Sequence, residues 1–301
     1  MSKQPIIGLA LGAGGARGWC HIGVLRGLEA LGVKPDLVAG CSMGALVGAA
    51  WADGKLDQLE QWVRALTPAR VLRLLDFSLR RSGGLVEARG IEGLLADLGV
   101  ADRIENLAKP FGAVATDMET GREIWLRDGP TYPAVRSSAS IPGVISPKRH
   151  QGMWLLDGGL TNPVPVSTAR AMGADIIIAV NPNARPNGRF WQEPEPRSTA
   201  AVWAASVLPK DMQEMFGIVP DSSNQLVTPN YFAVLNAAID VMEAQIRRAR
   251  LAGEPPHVLL NAGFPDMTIL ELYRGVEAIE EGRRIVDLQA DTIRKICGLC
   301  G

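Results

Sequence analysis

The sequence is short of several residue types and patterns that mark common classes of protein. Its 301 residues include 4 cysteines, too few for a disulfide framework in a chain of this length. Lysine and arginine number 31 against 32 aspartates and glutamates, so the basic excess of a dedicated nucleic-acid binder is missing. No stretch reaches the ~20 apolar residues of a membrane-spanning helix. No cluster of histidine, aspartate and glutamate has metal-ligand spacing, and we expect neither a metal nor another cofactor.

The amino-terminal residues show no secretory pattern. Their apolar run is short and continues into glycines instead of a cleavage site. We therefore expect a cytoplasmic protein with reduced cysteines. Peripheral contact with the inner face of the membrane is compatible with that location, and the oligomeric state stays open. With 47% hydrophobic residues, the chain can bury a large core.

The first 52 residues alternate short apolar runs, glycine-rich turns and helical patterns. Pro5–Leu11 predicts a buried strand, and Trp19–Leu31 carries apolar residues at helical spacing. Asp36–Ala39 predicts a second strand, which a turn at Gly40–Gly44 joins to a helix over Ala45–Ala52. This repeated order of strand, turn and helix indicates an α/β fold with a mostly parallel central sheet flanked by helices.

The rest of the chain continues this mixture of strands and helices. Further strands are predicted at Phe111–Ala115, Glu123–Leu126, Ala174–Val180 and His257–Leu260, and Trp154–Leu156 is a brief apolar run. Helices are predicted within residues 55–100 with breaks at Pro68 and Gly83-Gly84, from about Tyr231 to Leu251, and over Ile269–Ile296. The proline-rich stretch Ala184–Arg197 predicts a loop.

Gly40-Cys41-Ser42-Met43-Gly44 has the form G-x-S-x-G and lies between a predicted strand and a predicted helix. In that context the pentapeptide is typical of a nucleophile elbow, in which a sharp turn lifts the serine above the sheet. The helix that follows would supply a free backbone N–H and a favourable dipole for an oxyanion. An ordinary glycine-rich turn between strand and helix is the alternative.

A second glycine-rich segment, Gly12–Gly18, opens the first predicted helix. Such a loop presents several backbone N–H groups in one concavity, which suits either a phosphate or an oxyanion. The dinucleotide-binding pattern G-x-G-x-x-G fits poorly, because its last position, counted from Gly12, is Arg17. The loop is a candidate oxyanion hole that Arg17 would brace, and a turn needed only for close packing is the alternative.

Asp157-Gly158-Gly159 follows an apolar run and offers a candidate base for Ser42. A serine nucleophile usually relies on a histidine. The sequence has 3 histidines, and none has the position of a triad histidine. His21 lies on the first helix, His150 in a loop and His257 at the start of a strand. Their positions favour structural roles and point to a serine–aspartate dyad.

Together these motifs resemble those of the patatin-like phospholipase family of lipid acyl hydrolases. Ala13–Gly18 resembles the family's glycine-rich oxyanion motif, Gly40–Gly44 its elbow and Asp157–Gly159 its aspartate motif. Ser137–Pro142 is a further family-like stretch. The resemblance covers about residues 6–182, and the whole chain is similar to small bacterial single-domain members.

The resemblance implies a three-layer sandwich and a catalytic dyad of Ser42 and Asp157. It also implies hydrolysis of the ester bond of a phospholipid or related acyl lipid through an acyl-enzyme, without a metal. The backbone N–H groups implied for the oxyanion hole are those of Gly14, Gly15 and Met43. One departure is Ala13, which stands where the family's motif has its first glycine.

The expected domain organisation also follows from the resemblance. A single patatin-like domain would span residues 1–301, with a catalytic core over about 1–182. The remainder, about 183–301, is expected to be mainly helical and to include a mobile cap over about 208–228.

Two other functions remain open on the sequence alone. One is a binding or regulatory protein on the same scaffold with little or no turnover, although both dyad residues are present. The other is a nucleotide-binding oxidoreductase that uses Gly12–Gly18. That function requires an acidic residue about 20 positions on at the end of a second strand, whereas Asp36 begins its predicted strand.

Overall fold

The computed structural model describes residues 4–74, 86–185, 188, 190 and 231–299. The strands are β1 (Ile7–Leu11), β2 (Leu37–Cys41), β3 (Phe111–Asp117), β4 (Glu123–Leu126), β5 (Lys148–His150), β6 (Met153–Asp157), β7 (Ile176–Ala184) and β8 (Val258–Gly263). The α-helices are α1 (Cys20–Ala30), α2 (Met43–Ala52), α3 (Leu56–Arg64), α4 (Pro68–Leu74), α5 (Arg89–Asp97), α6 (Thr131–Ser138), α7 (Val166–Ala171), α8 (Tyr231–Gly253), α9 (Gly275–Asp287) and α10 (Ala290–Ile296). Short 3-10 helices cover Gly15–Trp19, Ile104–Asn106, Gly158–Leu160 and Leu272–Arg274.

The strands form one mixed sheet with the order β5-β6-β3-β2-β1-β7-β8, and β4 pairs with β3 off this path. The neighbouring strands β3, β2, β1, β7 and β8 are all parallel to one another. The pairs β3–β4, β3–β6 and β5–β6 are antiparallel. Leu11 at the end of β1 is in register with Gly40 of β2 and Val180 of β7. The carboxyl ends of these strands therefore meet at one edge. The predicted α/β fold with a mostly parallel sheet is confirmed.

Helices cover both faces of the sheet. Leu9, Leu11 and Val38 are buried in the same cluster as apolar residues of α1, α2 and α9. The alternate positions Ala10 and Ala39 pack with α7 on the opposite face. Because successive side chains of a strand point to opposite faces, both sets must be apolar, which explains the unbroken hydrophobic runs of β1 and β2. The result is the expected three-layer sandwich.

The carboxy-terminal part of the chain joins the sheet and one of its helical layers. β8 pairs in parallel with β7, and α9 packs across α1. A Cβ on Gly23 of α1 would lie 1.8 Å from the carbonyl oxygen of Ile279, and a Cβ on Gly282 of α9 would lie 2.0 Å from that of Cys20. The two helices therefore pack backbone against backbone.

Several elements differ from those predicted from the sequence. The single helix expected over Ile269–Ile296 is divided into a 3-10 helix, α9 and α10. The break lies near Gln289, whose side chain donates a hydrogen bond to the carbonyl of Leu259. β7 was predicted to end at Val180 but continues to Ala184. Asn181 pairs with Asn261 of β8, and the register of the two strands shifts between Asn181 and Ala184.

The short elements β5, α6 and α7 were not predicted. β5 has only three residues and pairs with β6 alone, so it lacks the apolar alternation of a central strand. α6 contains Pro133 in its first turn, where a missing N–H is tolerated. The predicted cap over 208–228 and the break at Gly83-Gly84 lie outside the described residues.

We expect Gly23→Ala to destabilise the fold by about 1–3 kcal/mol, because the added methyl would meet the backbone of α9. In an unconstrained helix the same substitution stabilises by up to about 1 kcal/mol. Gly93→Ala in α5 is the matched control, since nothing lies within 4 Å of a Cβ built there. Urea unfolding of both variants and the wild type measures the difference. A free energy of unfolding for Gly23→Ala at or above the wild-type value would contradict the close packing of α1 on α9.

Candidate active site

Ser42 lies at the abrupt turn between β2 and α2. Its backbone has φ 54° and ψ −120°, a conformation that costs a non-glycine residue about 1–3 kcal/mol. A Cβ on Gly40 would lie 2.5 Å from the Cα of Ala45, and a Cβ on Gly44 would lie 2.1 Å from the carbonyl oxygen of Leu11. Both glycines of the pentapeptide are thus required for α2 to approach the sheet this closely.

A second serine holds this turn in place. The backbone N–H of Ser42 donates a 2.9 Å hydrogen bond to Oγ of Ser138, and that hydroxyl donates in turn to the carbonyl of Val114 on β3. Ser138 ends α6 and belongs to the stretch Ser137–Pro142 that drew attention in the sequence. It therefore fixes the elbow against the neighbouring strand, a role that the sequence did not reveal.

Asp157 ends β6 and lines the same pocket as Ser42. Its Oδ1 accepts the backbone N–H of Gly159 at 2.7 Å and lies 3.9 Å from Sγ of Cys41. Burial raises the pKa of Asp157 to about 6, against the opposing effect of hydrogen bonds from Ser42, Gly159 and Cys41. Within the described part of the chain, Oδ2 has no partner with regular hydrogen-bond geometry. The carboxyl is thus ionised at neutral pH and more basic than a free aspartate.

The glycine-rich loop contributes Gly14 and Gly15 to this pocket. Ala13 uses its N–H in a 2.8 Å hydrogen bond to the carbonyl of Pro163, whereas no described acceptor takes the N–H of Gly14 or Gly15. Gly15 has φ 53°, and a Cβ there would lie 2.6 Å from the carbonyl oxygen of Ile269, so the position requires glycine. The loop therefore leaves two backbone donors available beside the serine.

Met43 is the first residue of α2, and its N–H has no described acceptor. The partial positive charge of a helix N-terminus favours an anion at this point. A Cβ on Gly18 would lie 2.5 Å from Cβ of Met43, so the glycine-rich loop packs directly on the start of α2. The three backbone donors expected for an oxyanion hole thus lie in segments that touch each other.

Arg17 connects the glycine-rich loop to the carboxy-terminal part of the chain. Its guanidinium is buried and donates hydrogen bonds to the carbonyl of Met267 at 2.8 Å and to Oδ1 of Asn183 at 2.9 Å. It also pairs with Asp240 of α8 at 3.2 Å. These contacts join the glycine-rich loop to residues of the carboxy-terminal part of the chain.

The three histidines are not among the residues that line the pocket. His21 is buried with Nε2 2.8 Å from the carbonyl oxygen of Gly12, and burial lowers its pKa to about 4. Burial also lowers the pKa of His150 on β5. Nδ1 of His257 accepts the N–H of Ile177 at the start of β7. Each histidine therefore has a structural contact, and none of the three lines the pocket with Ser42.

The contribution of α8 and of the end of β7 to the pocket was not predicted from the sequence. Asn183, Asp240 and Glu243 line the pocket together with Ser42 and Asp157. Burial raises the pKa of Glu243 to about 8, and the charges of Asp157 and then Asp240 act in the same direction. In the sequence, the one sign of this contribution is that Asp240 and Glu243 interrupt an otherwise apolar stretch of a predicted helix. The tertiary structure shows that both residues line the pocket.

The pocket encloses about 280 Å³ of space when its opening to solvent is included. Its apolar wall comes from Ile141, Ile239 and Ile269.

Among residues that the structure describes, no three or more of histidine, cysteine, aspartate and glutamate are grouped as metal ligands. None of the described helices combines the length and apolarity needed to cross a membrane.

Comparison with known proteins gives a consistent assignment. The family model described as patatin-like phospholipase matches residues 9–170, which include the glycine-rich loop, Ser42 and Asp157. An uncharacterized NTE family protein of Mycobacterium tuberculosis (strain H37Rv) is 34% identical over 328 residues, covering 94% of this chain and 91% of that protein.

Longer mammalian proteins match over part of this chain. Patatin-like phospholipase domain-containing protein 6 of Homo sapiens is 35% identical over 184 residues, which cover 58% of this chain and 13% of that protein. Among solved structures, VipD from Legionella pneumophila has a TM-score of 0.48 and 12% identity, with 97% of this chain and 67% of that chain covered. The family match and the near full-length relative establish that the chain belongs to the patatin-like phospholipase family, a family of lipid hydrolases.

Proposed function

We propose that this protein is a serine hydrolase that cleaves the carboxylic ester bond of phospholipids or related acyl lipids with a dyad of Ser42 and Asp157. The observation that carries the proposal is the shared pocket, in which a buried aspartate and an elbow serine face the unused backbone donors of Gly14 and Gly15. The family assignment supports lipid hydrolysis in general.

In the first half of the reaction Asp157 accepts the proton of the Ser42 hydroxyl as Oγ attacks the ester carbonyl. The oxyanion that forms is stabilised by the N–H groups of Gly14, Gly15 and Met43, and loss of one such donor typically costs about 3 kcal/mol of barrier. Collapse of the tetrahedral intermediate breaks the bond to the alcohol oxygen. Asp157 returns the proton to that oxygen, so the alcohol leaves neutral and an acyl-enzyme remains.

In the second half a water molecule gives its proton to Asp157 and attacks the acyl carbonyl. The same three donors stabilise the second oxyanion. Ser42 then leaves with the proton held by Asp157, and the carboxylic acid is released. A base with a pKa near 6 suits this exchange, because it is ionised at neutral pH and still accepts a proton more readily than a free aspartate.

The surroundings of the dyad favour an acyl lipid as substrate. Ile141, Ile239 and Ile269 give the pocket an apolar wall suited to an acyl chain. Such lipids reside in membranes, so the proposal includes peripheral contact of a cytoplasmic protein with the inner membrane face. Met118 and Trp154 support this part, because they are 56% and 52% exposed and adjacent through a backbone hydrogen bond.

Ser42→Ala is expected to reduce hydrolysis of a short-chain ester by at least about a thousandfold, since it removes the proposed nucleophile. A fluorophosphonate probe should label the wild type and fail to label this variant. Ser137→Ala is the matched control, because Ser137 is buried on α6 with its hydroxyl bonded to the carbonyl of Pro133. Full activity of Ser42→Ala at an unchanged melting temperature would rule out the proposed nucleophile.

Asp157→Asn is expected to be as inactive as Ser42→Ala, because both remove the same proton-transfer step. The double variant should then be no slower than the slower single variant. Single replacement of His21, His150 or His257 should have a far smaller effect. Rates of acyl-enzyme formation, with circular dichroism to check folding, distinguish the dyad from a triad. Loss of activity by orders of magnitude in one well-folded histidine variant would exclude the dyad.

The acid side of the pH profile should report Asp157. The base acts only when it is ionised, and burial raises its pKa to about 6. As the pH is lowered from neutral, kcat/KM should therefore stay constant until about pH 6. It should decrease about tenfold for each pH unit below. The inflection should remain in each histidine variant, because imidazole is not its source. A rate that is constant down to pH 4.5 in the folded enzyme would contradict the assignment.

A further inference from the structure

The carboxyl groups of Glu243 on α8 and of Asp157 both lie next to Gly159. A Cβ built on Gly159 would lie 2.3 Å from Oε1 of Glu243 and 3.1 Å from Oδ1 of Asp157. Both carboxyl groups line the pocket. Because Gly159 has no side chain, both carboxyl groups can approach the same point beside it.

This position determines which part of an ester Glu243 would meet. In the proposed reaction Asp157 takes the proton of Ser42 and returns it to the alcohol oxygen. The alcohol part of the ester must therefore come within hydrogen-bond reach of Asp157. Since Glu243 shares the space over Gly159 with that carboxyl, it stands next to the alcohol part.

The arginines near Glu243 form ion pairs or hydrogen bonds with other residues, and none of them lines the pocket. Arg17 and Arg185 both pair with Asp240. Arg247 lies one turn beyond Glu243 and donates to the carbonyl of Asn183. The described contact of Glu243 is a neutral one, a 3.3 Å hydrogen bond from Nδ2 of Asn183 to Oε2.

We propose that Glu243 faces the alcohol part of the ester and is the residue by which the site discriminates charge, favouring an uncharged or positively charged alcohol part over a negatively charged one. The inference rests on the proposed ester hydrolysis and adds to it a class of substrate. It needs no further catalytic step, because Glu243 acts on binding of the alcohol and not on the proton transferred between Ser42 and Asp157.

The discrimination should increase with pH. Burial raises the pKa of Glu243 to about 8, so the side chain changes from neutral to negative in the mildly alkaline range while Asp157 is already ionised. The charged and titratable groups that face this region are Asp157, Asp240, Arg17, Arg185, Arg247 and Cys41. Burial raises the pKa of the Cys41 thiol well above its ordinary value, so Cys41 stays neutral over this range. The arginines stay charged, and Glu243 is the group whose charge changes.

Three butyrate esters that differ in the charge of the alcohol part test the proposal. Butyrylcholine carries a positive charge, 3,3-dimethylbutyl butyrate is its uncharged isostere, and 2-sulfoethyl butyrate is negative. The quantity compared is the ratio of kcat/KM for the positive ester to that for the negative ester, with hydrolysis by Ser42→Ala subtracted. Changes in the basicity of Asp157 affect all three esters and cancel in this ratio.

The wild-type ratio should rise about tenfold between pH 7 and pH 9, which is the size expected for adding one charge near the alcohol part. In Glu243→Gln the rise should disappear, because the amide has nearly the same shape and no charge. Glu254→Gln is the matched control: Glu254 is exposed just after α8, and its loss should leave the rise as in the wild type. If Glu243→Gln does not fold, the pH dependence of the wild-type ratio still decides the matter.

The outcomes separate this inference from the function on which it rests. Hydrolysis of the esters with a ratio that does not change with pH, or that rises equally in Glu243→Gln, would overturn the role of Glu243 and leave the esterase standing. Failure of the wild type to hydrolyse any ester faster than Ser42→Ala would instead overturn the esterase. A rise present in the wild type and in Glu254→Gln but absent in Glu243→Gln would establish the proposal.

Discussion

The close approach of α2 to the end of β1 is the constraint on which the site depends. Gly44 stands so near the backbone of Leu11 that a Cβ would lie 2.1 Å from its carbonyl oxygen. This contact forces the reversal at Ser42, and the reversal in turn exposes the N–H of Met43 at the start of a helix. The glycine-rich loop follows β1 directly, so the same contact sets its distance from the serine. A side chain at Gly44 would move Ser42 away from the backbone N–H groups of the glycine-rich loop.

The second requirement is a connection between the two parts of the chain. The motif-bearing part carries the serine, the aspartate and the backbone donors, whereas α8 and the segment around Met267 come from the carboxy-terminal part. Arg17 joins them through buried hydrogen bonds to Met267 and Asn183 and an ion pair with Asp240. Since an unpaired buried guanidinium would be costly, these contacts must form together. Through Arg17, the position of α8 is coupled to that of the glycine-rich loop.

Much of the fold and of the candidate site could be predicted from local sequence patterns. Apolar runs bounded by glycine located β1, β2 and β3, and helical periodicity located α1 and the long α8. Elements whose stability comes from neighbours were missed or misjudged. β5 exists only because β6 pairs with it, α6 contains a proline, and the last predicted helix is divided near Gln289, where a side chain bonds to β8. Such contacts leave no periodic signal in the residues that make them.

What the sequence determined by itself is the set of local backbone requirements: glycine at positions 14, 15, 40 and 44, and a serine and an aspartate at turns that follow strands. These depend on steric limits of the chain and are therefore visible in short motifs. Only the tertiary structure decided which groups share a pocket. It placed Ser138 against the elbow and left the three histidines out of the pocket lining. It also brought Glu243 next to Asp157, although the two are far apart in the chain, because burial and electrostatic contact depend on distance in space and not on separation in sequence.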